Sequence, residues 1–254
     1  MNKSAGYTAR TTAFASATAI TDTTILNALN TFDLGLISNG LDTKMKAVYP
    51  MVGGTSTTCK YNFMNAVDSN SAFRLQFFGG GTFSANGYQP NGTNAYANTF
   101  LSPSANLTLN SGHISYYSRT NELRTEHNIG SESGGVGTTL LRITGTSYFK
   151  VNTAGAYVTY ADSNSQAFYM SNRTASTVYN GWRNSTKVGQ DTASPVGLVN
   201  TSFYLSTLNQ DNVPIYYSNK QCAFSSIGTG LTDGEAVIFY NLIQAMQTTL
   251  ARQI

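Results

Sequence analysis

Short β-type runs follow one another at intervals of roughly ten residues through most of this chain. Between residues 60 and 227 they are separated by Gly, Asn, Ser and Thr, and the Asn-Gly pairs favour the turns of tight hairpins. The runs that we predict as strands are residues 61–64, 73–78, 113–119, 140–143, 156–160, 167–172, 177–179, 182–188 and 202–208. This spacing is typical of an antiparallel sandwich and not of alternating strands and helices, so we predict an all-β chain.

A strand that runs into a capped helix closes the sequence. The strand begins at Cys222 and ends at a turn with glycines at 228 and 230. Thr232 and Glu235 have the spacing of a capping box, so a helix begins there. Apolar residues then recur at helical spacing, namely Phe239, Ile243, Met246 and Leu250. We predict a helix over residues 232–252, with Phe239 and Ile243 buried against the outer face of the sandwich.

The first fifty residues differ in composition from the rest. Residues 1–20 are rich in Ala, Thr and Ser and show no periodicity, which indicates an extended arm or a linker. Asp22 then precedes an apolar stripe at helical spacing, so we predict a helix over residues 22–38. The stripe consists of Ile25, Leu29, Phe32 and Leu36. This one-sided helix either packs on the chain's own sandwich or attaches the chain to other chains.

Two units follow from this division. We predict an N-terminal arm and attachment helix over residues 1–50, and a sandwich with its closing helix over residues 51–254. An ordered polar arm needs contacts that offset its lost conformational entropy. We therefore expect residues 1–50 to contact other chains more than they contact their own sandwich.

Charge is sparse in this chain. Only 11% of its 254 residues are charged, against about 25% in an average domain, which suits a permanent assembly or a secreted protein. The net charge of +3 is spread along the chain, so we expect neither nucleic acid nor a membrane as a partner. The first twenty residues lack the apolar core of a signal peptide, and no window approaches the ~18 apolar residues of a membrane span. Cys59 and Cys222 are interpreted as free buried thiols.

Glu122 and Glu126 are the strongest candidates for catalysis. Paired carboxylates are the catalytic groups of most glycoside hydrolases, and a spacing of four places both on one face of an extended strand. However, the segment has the composition of a turn, and no aromatic-walled groove motif flanks it. We interpret both as solvated turn charges and predict a protein that is not an enzyme, with no catalytic residue.

Residues of metal-binding types are scattered. His113 and His127 have no carboxylate or cysteine at metal-ligand spacing, so we predict a structural or surface role for both. The loop segments 162–164 (Asp-Ser-Asn) and 211–212 (Asp-Asn) contain side chains that can hold Ca²⁺. The alternative is that they are ordinary turn residues. We predict no cofactor and no metal-binding residue.

Aromatic residues near polar side chains are candidates for sugar binding. Trp182, the single tryptophan, is followed by Arg183 and Asn184. Its alternation along a predicted strand favours a core position instead. Further aromatic candidates lie near predicted loops, namely Tyr88, Tyr96 and Tyr216. The sequence does not assign a binding face.

Four segments occur in the order and spacing of a known fold. They are residues 113–119 (HISYYSR), 176–182 (STVYNGW), 203–206 (FYLS) and the strand, turn and helix of 222–247. Together they resemble the concanavalin A-like, laminin-G-like sandwiches over residues 61–254. The resemblance implies an antiparallel jelly roll of lectin-like type, a class that binds ligands or builds assemblies more often than it catalyses.

A narrower resemblance concerns residues 25–50, 90–97 (PNGTNAYA) and 117–120 (YSRT). These segments resemble structural head or tail proteins of tailed bacteriophages, particularly those of Bacteroides-type hosts. The resemblance implies a non-enzymatic virion subunit, such as an appendage, fibre or decoration protein. It would associate with copies of itself and other virion proteins, assembled in the bacterial host cytoplasm. The alternative function is a carbohydrate- or receptor-binding protein that recognises host surface glycan.

Overall fold

Strands dominate the computed structural model, which describes residues 6–254. In chain order they are β1 (Met45–Tyr49), β2 (Gln76–Phe78), β3 (Thr82–Ser84), β4 (Gly87–Gln89), β5 (Tyr96–Asn98), β6 (Gly112–Ser118), β7 (Glu126–Ser133), β8 (Val136–Ile143), β9 (Thr146–Ala154), β10 (Val158–Ala161), β11 (Ala167–Ala175), β12 (Val178–Arg183), β13 (Thr186–Asp191), β14 (Tyr204–Leu205), β15 (Leu208–Gln210), β16 (Val213–Ile215) and β17 (Cys222–Gly228). The helices are α1 (Ala9–Thr18), α2 (Thr23–Ser38), α3 (Ser56–Cys59), α4 (Pro103–Asn106) and α5 (Asp233–Thr249).

The strands form two sheets that pack face to face. Sheet I has the order β13-β12-β11-β6-β17-β4-β3, with β1 also paired to β17. Sheet II has the order β10-β9-β8-β7-β14-β5-β2, with the β15–β16 hairpin also paired to β7. Neighbouring strands are antiparallel, except that β15 runs parallel to β7. Apolar side chains of both sheets meet in an inter-sheet core, so the predicted antiparallel sandwich is confirmed.

A second apolar layer lies between the outer face of sheet I and the helices. Phe32 of α2 and Phe239 of α5 both contact Phe224 of β17, with ring centroids 5.7 Å and 6.0 Å from it. Central strand β6 is therefore buried on both faces: Tyr116 belongs to the inter-sheet core and Tyr117 to the helix-side core. No helix among residues 6–254 is long and apolar enough to cross a membrane.

Helix α5 begins at the predicted capping box. The Thr232 hydroxyl accepts a hydrogen bond from the Glu235 N–H at 3.3 Å, and the Glu235 carboxylate accepts one from the Thr232 N–H at 2.8 Å. Phe239 and Ile243 are fully buried, which confirms the prediction for this helix. The helix also carries two acidic residues in its first turn, where they complement the helix dipole.

Helix α2 packs on the chain's own sandwich, which is the first of the two alternatives for its apolar stripe. Leu29, Phe32 and Leu36 are buried in the helix-side core. The following segment also belongs to the fold, because β1 pairs with β17 along Met45–Tyr49. The division at residue 50, and the contacts of residues 1–50 with other chains, stay predictions.

The predicted extended arm is wrong for residues 9–18, which form helix α1; residues 1–5 lie outside the described chain. Thr8 caps the helix, and both Thr8 and Arg10 bind the buried Asp33 carboxylate of α2. Phe14 is fully buried and contacts Phe63 at a ring-centroid distance of 5.4 Å. These contacts depend on the tertiary structure, which explains why the local pattern did not indicate a helix.

The predicted strand at 61–64 is also wrong. The segment is a bend in which Asn62 forms one isolated bridge with Asn65. The Asn62 side chain accepts hydrogen bonds from the backbone N–H groups of Val48 and Met64, at 2.9 and 3.0 Å. A side chain that binds the backbone in this way competes with strand pairing.

Candidate functional site

The two candidate carboxylates have different environments. Glu126 is the first residue of β7, is fully buried, and forms an ion pair with the equally buried Lys220. Glu122 lies in the preceding loop and accepts a hydrogen bond from the Asn219 side chain at 3.1 Å. The prediction of solvated turn charges is wrong for Glu126, because Lys220, in the loop before β17, neutralises it inside the sandwich.

The two candidate Ca²⁺ segments also differ. Asp162 is buried, and its carboxylate binds Arg142, Tyr169 and Arg183, so protein donors already neutralise it. Residues 211–212 both have positive φ, +53° and +68°, and form the two-residue turn between β15 and β16. Within residues 6–254 no group of three or more His, Cys, Asp or Glu side chains is placed to hold a metal ion.

Several sequence candidates lie in the interior. Trp182 is buried in the helix-side core, as its alternation favoured, and Tyr88 is buried in the inter-sheet core. His113 is fully buried beneath α5, and burial lowers its pKa to about 4. Cys59 and Cys222 are free and buried, which confirms that prediction. None of these side chains is accessible to a ligand.

A cleft of about 280 Å³ opens on the outer face of sheet II, the face turned away from the helices. Strands β7 and β8 form its floor. Leu140 of β8 points into the inter-sheet core, so its neighbour Leu141 points outward into the cleft. The polar and aromatic residues that line it are Thr125, His127, Glu132, Tyr157, Gln210 and Tyr216.

Tyr216 lies over His127 at the edge of this cleft. The ring centroids are 5.7 Å apart, with 29° between the ring planes. The backbone N–H of His127 donates to the backbone carbonyl of Tyr216 at 2.9 Å. Tyr216 has φ of +55°, in the left-handed region that aromatic residues rarely adopt, and 55% of its surface is exposed. Conformations of this kind cost about 1–3 kcal/mol and cluster at functional sites.

The His127 imidazole has unused hydrogen-bonding capacity. Its Nδ1 is buried and has no hydrogen-bond partner within the described chain. Burial, with a smaller contribution from Lys150, lowers the pKa of His127 to about 3, so the ring is neutral. A neutral imidazole offers one donor and one acceptor. Leaving a buried polar atom unpaired costs about 1–3 kcal/mol.

The charges of the cleft balance each other. The Glu132 carboxylate accepts a hydrogen bond from the Lys150 ammonium at 2.8 Å. Lys150 is almost fully buried, also donates to the Gly135 carbonyl at 2.7 Å, and lies 5.3 Å from the centre of the Tyr157 ring. Among the described residues, Glu132 is the charged residue that lines the cleft. No unpaired cation lines this cleft in the same part of the chain.

Sequence reasoning found part of this site. The sequence indicates Tyr216 as a candidate for sugar binding and predicts a structural or surface role for His127. The sequence does not indicate Glu132 or Lys150, because opposite charges 18 residues apart carry no local signal. It does not indicate Tyr157 either. Tyr96, another loop candidate, lies on the same outer face of sheet II, on β5.

A larger cleft of about 650 Å³ lies where the α1–α2 turn meets the end of α5. Its buried charge is Arg252, whose guanidinium donates to the carbonyls of Pro50, Met51, Ala85 and Ala223 and to the Gln247 side chain. All of its donors are therefore occupied within the protein. Among the described residues no aromatic side chain lines this cleft, whereas Tyr157 and Tyr216 line the cleft on sheet II.

No protein-family model and no curated protein matches this sequence. Among solved structures, the binding domain of botulinum neurotoxin serotype D is similar, with a TM-score of 0.51 and 9% identity over 79% of this chain. Domain 4 of AbnA, a GH43 extracellular arabinanase from Geobacillus stearothermophilus, in complex with arabinotriose, has the same TM-score and 13% identity. The chain covers 52% of the toxin structure and 98% of the arabinanase domain. These neighbours show the sandwich fold that the chain shares with them.

Proposed function

We propose that this chain binds glycans in the cleft on the outer face of sheet II. The observation that carries the proposal is Tyr216, an exposed aromatic ring held at positive φ over the unpaired imidazole of His127. Sugars present apolar C–H faces and hydroxyl groups together. An aromatic ring with adjacent hydrogen-bonding groups is complementary to both.

The dimensions and charges of the cleft support an uncharged sugar as ligand. Its volume of about 280 Å³ is close to the lower end of ligand pockets, about 300 Å³. His127, Glu132 and Gln210 can exchange hydrogen bonds with hydroxyl groups. A carboxylated sugar would find no unpaired cation among the described residues that line the cleft, because Lys150 already pairs with Glu132.

The shared fold is compatible with this function. Domain 4 of AbnA was solved in complex with arabinotriose, and the chain covers nearly all of that domain. The proposed role is binding without catalysis, since Glu126, the buried member of the carboxylate pair, is neutralised by Lys220.

The test is a glycan array, followed by calorimetric titration of the sugars that bind. Tyr216→Ala should lower the affinity about tenfold or more, and Tyr7→Ala, which removes an exposed tyrosine near α2, should leave it unchanged. Equal affinity of Tyr216→Ala and the wild-type protein would contradict the assignment of this cleft. An array without any bound sugar would contradict the function itself.

A structural role in a phage virion is the second proposal. The resemblance of residues 25–50 to virion proteins supports it, and so do two exposed apolar side chains on the outward side of α2, Leu34 (50%) and Ile37 (48%). The protein would then contact copies of itself or other virion proteins through α2. Changing both residues to Ser should preserve the fold but reduce oligomeric mass and incorporation into particles. Unchanged assembly would contradict this role.

A further inference from the structure

Four aromatic side chains stand on the outer face of sheet II beside the cleft. Phe77 of β2, Ala97 of β5 and Leu205 of β14 point into the inter-sheet core. Since side chains alternate along a strand, the adjacent aromatic residues point outward. These are Phe78, Tyr96 and Tyr204, and Tyr217 joins them from the segment after β16. We call this set the aromatic row.

The rings of the row are in direct contact. Phe78 stacks on Tyr96 with centroids 4.9 Å apart and 16° between the planes. Tyr204 lies 4.9 Å and Tyr217 lies 6.2 Å from Tyr96. Phe78 closes the outer end of the row and keeps 37% of its surface exposed. The row therefore presents an apolar edge to solvent on the outer face of sheet II.

The aromatic row adjoins the cleft. Tyr216 and Tyr217 are consecutive: Tyr216 covers His127 in the cleft, and Tyr217 contacts Tyr96 in the row. Three strand spacings separate β7 from β2, which amounts to roughly 14 Å across the sheet. A single sugar ring fills the cleft but cannot also reach Phe78.

We propose that the ligand is an extended oligosaccharide, with one sugar in the cleft and the following sugars along the aromatic row. This inference rests on the proposed glycan-binding function and specifies the length of the ligand. Continuity through Tyr216 and Tyr217 favours one ligand that occupies both surfaces. A protein partner at the row would not require the cleft.

The test compares arabinan, xylan and chitin oligomers of one to four sugars by calorimetric titration. Affinity of the wild-type protein should increase with length, by about fivefold to tenfold for each sugar that reaches an aromatic ring. Phe78→Ala should remove the last increase and leave monosaccharide affinity unchanged. Tyr216→Ala should weaken every length. Circular dichroism and thermal melting check that each variant is folded.

The outcomes separate the two proposals. If monosaccharides and tetrasaccharides bind equally well, or if Phe78→Ala keeps the full length dependence, the extended ligand is wrong and glycan binding in the cleft stands. If no oligomer binds at any length, the glycan-binding function fails as well. Should Phe78→Ala not fold, Phe78→Leu preserves apolar volume without the ring, and the same loss of length dependence is expected.

Discussion

Lys220 and Glu126 form an ion pair inside the sandwich, with both side chains fully buried. Burial lowers the pKa of Lys220, and the adjacent Glu126 carboxylate opposes this shift. The Glu126 Oε2 atom also accepts the Asn219 N–H at 3.1 Å, which orients the carboxylate toward the ammonium. The pair joins the first strand residue of β7 to the loop before β17, and so connects sheet II to sheet I.

Removing one partner of this pair should destabilise the protein strongly. Lys220→Met leaves a buried carboxylate without its cation, which typically costs about 3–5 kcal/mol. The double variant Glu126→Gln/Lys220→Met removes both charges and should recover much of that loss. Urea unfolding of the three proteins gives the free energies. A single variant as stable as the wild-type protein would show that the pair is dispensable.

Phe239 is expected to be the most sensitive position on α5. Its ring is fully buried and contacts Phe32, Phe168 and Phe224, so truncation leaves a cavity between the helices and sheet I. Phe239→Ala should cost about 3–5 kcal/mol. Ile238→Ala is the matched control, because its side chain on the same helix is 36% exposed. Equal melting temperatures of the two variants would contradict this role of Phe239.

Stability should fall in mildly acidic solution because two histidines are buried in the neutral form. Burial lowers the pKa of His113 to about 4 and that of His127 to about 3, below the ordinary value of 6.5. Between each lowered pKa and 6.5, the unfolded chain binds more protons than the folded one. The stability that the neutral histidines contribute is therefore complete above pH 6.5 and falls below it. At pH 5 each histidine contributes a loss of about 2 kcal/mol.

The measurement is urea unfolding at pH 7.5 and pH 5, together with titration of the imidazole resonances by NMR. His127→Gln should reduce the difference in stability between the two pH values, since glutamine does not titrate. Imidazole resonances that titrate near pH 6.5 in the folded protein would contradict the prediction. Carboxylates titrate mostly below pH 5, so they affect the comparison of stability at pH 7.5 and pH 5 less.

The sequence predicted the sandwich and both long helices because periodicity records which faces are buried. It could not predict the binding face, and β7 shows why. His127 and Glu132 are five residues apart, so strict alternation would place them on opposite faces. A β-bulge between His127 and Ile129 shifts the register by one residue and brings both to the cleft. The residue types in this segment do not predict that bulge.

The wrong predictions for helix α1 and for the buried Glu126 have a related explanation. The contacts of α1 with Asp33 and Phe63 join residues that are far apart in the chain. The partner of Glu126 lies 94 positions further along, at Lys220. Local composition therefore indicated an arm and a solvated turn, and tertiary contacts overrode both.

The last prediction concerns charge selection in the cleft. Glu132 provides the carboxylate there, and its partner Lys150 is buried and donates to two acceptors. A neutral galactan oligomer should therefore bind more tightly than a galacturonan oligomer of the same length. Glu132→Gln removes the negative charge and keeps an oxygen that accepts from Lys150, so the acidic oligomer should gain affinity relative to the neutral one. Glu122→Gln removes a carboxylate from the loop before β7, outside the cleft lining, and is the control. Calorimetric titration of both oligomers measures the ratio, and tighter binding of galacturonan by the wild-type protein would contradict the selection of uncharged sugars.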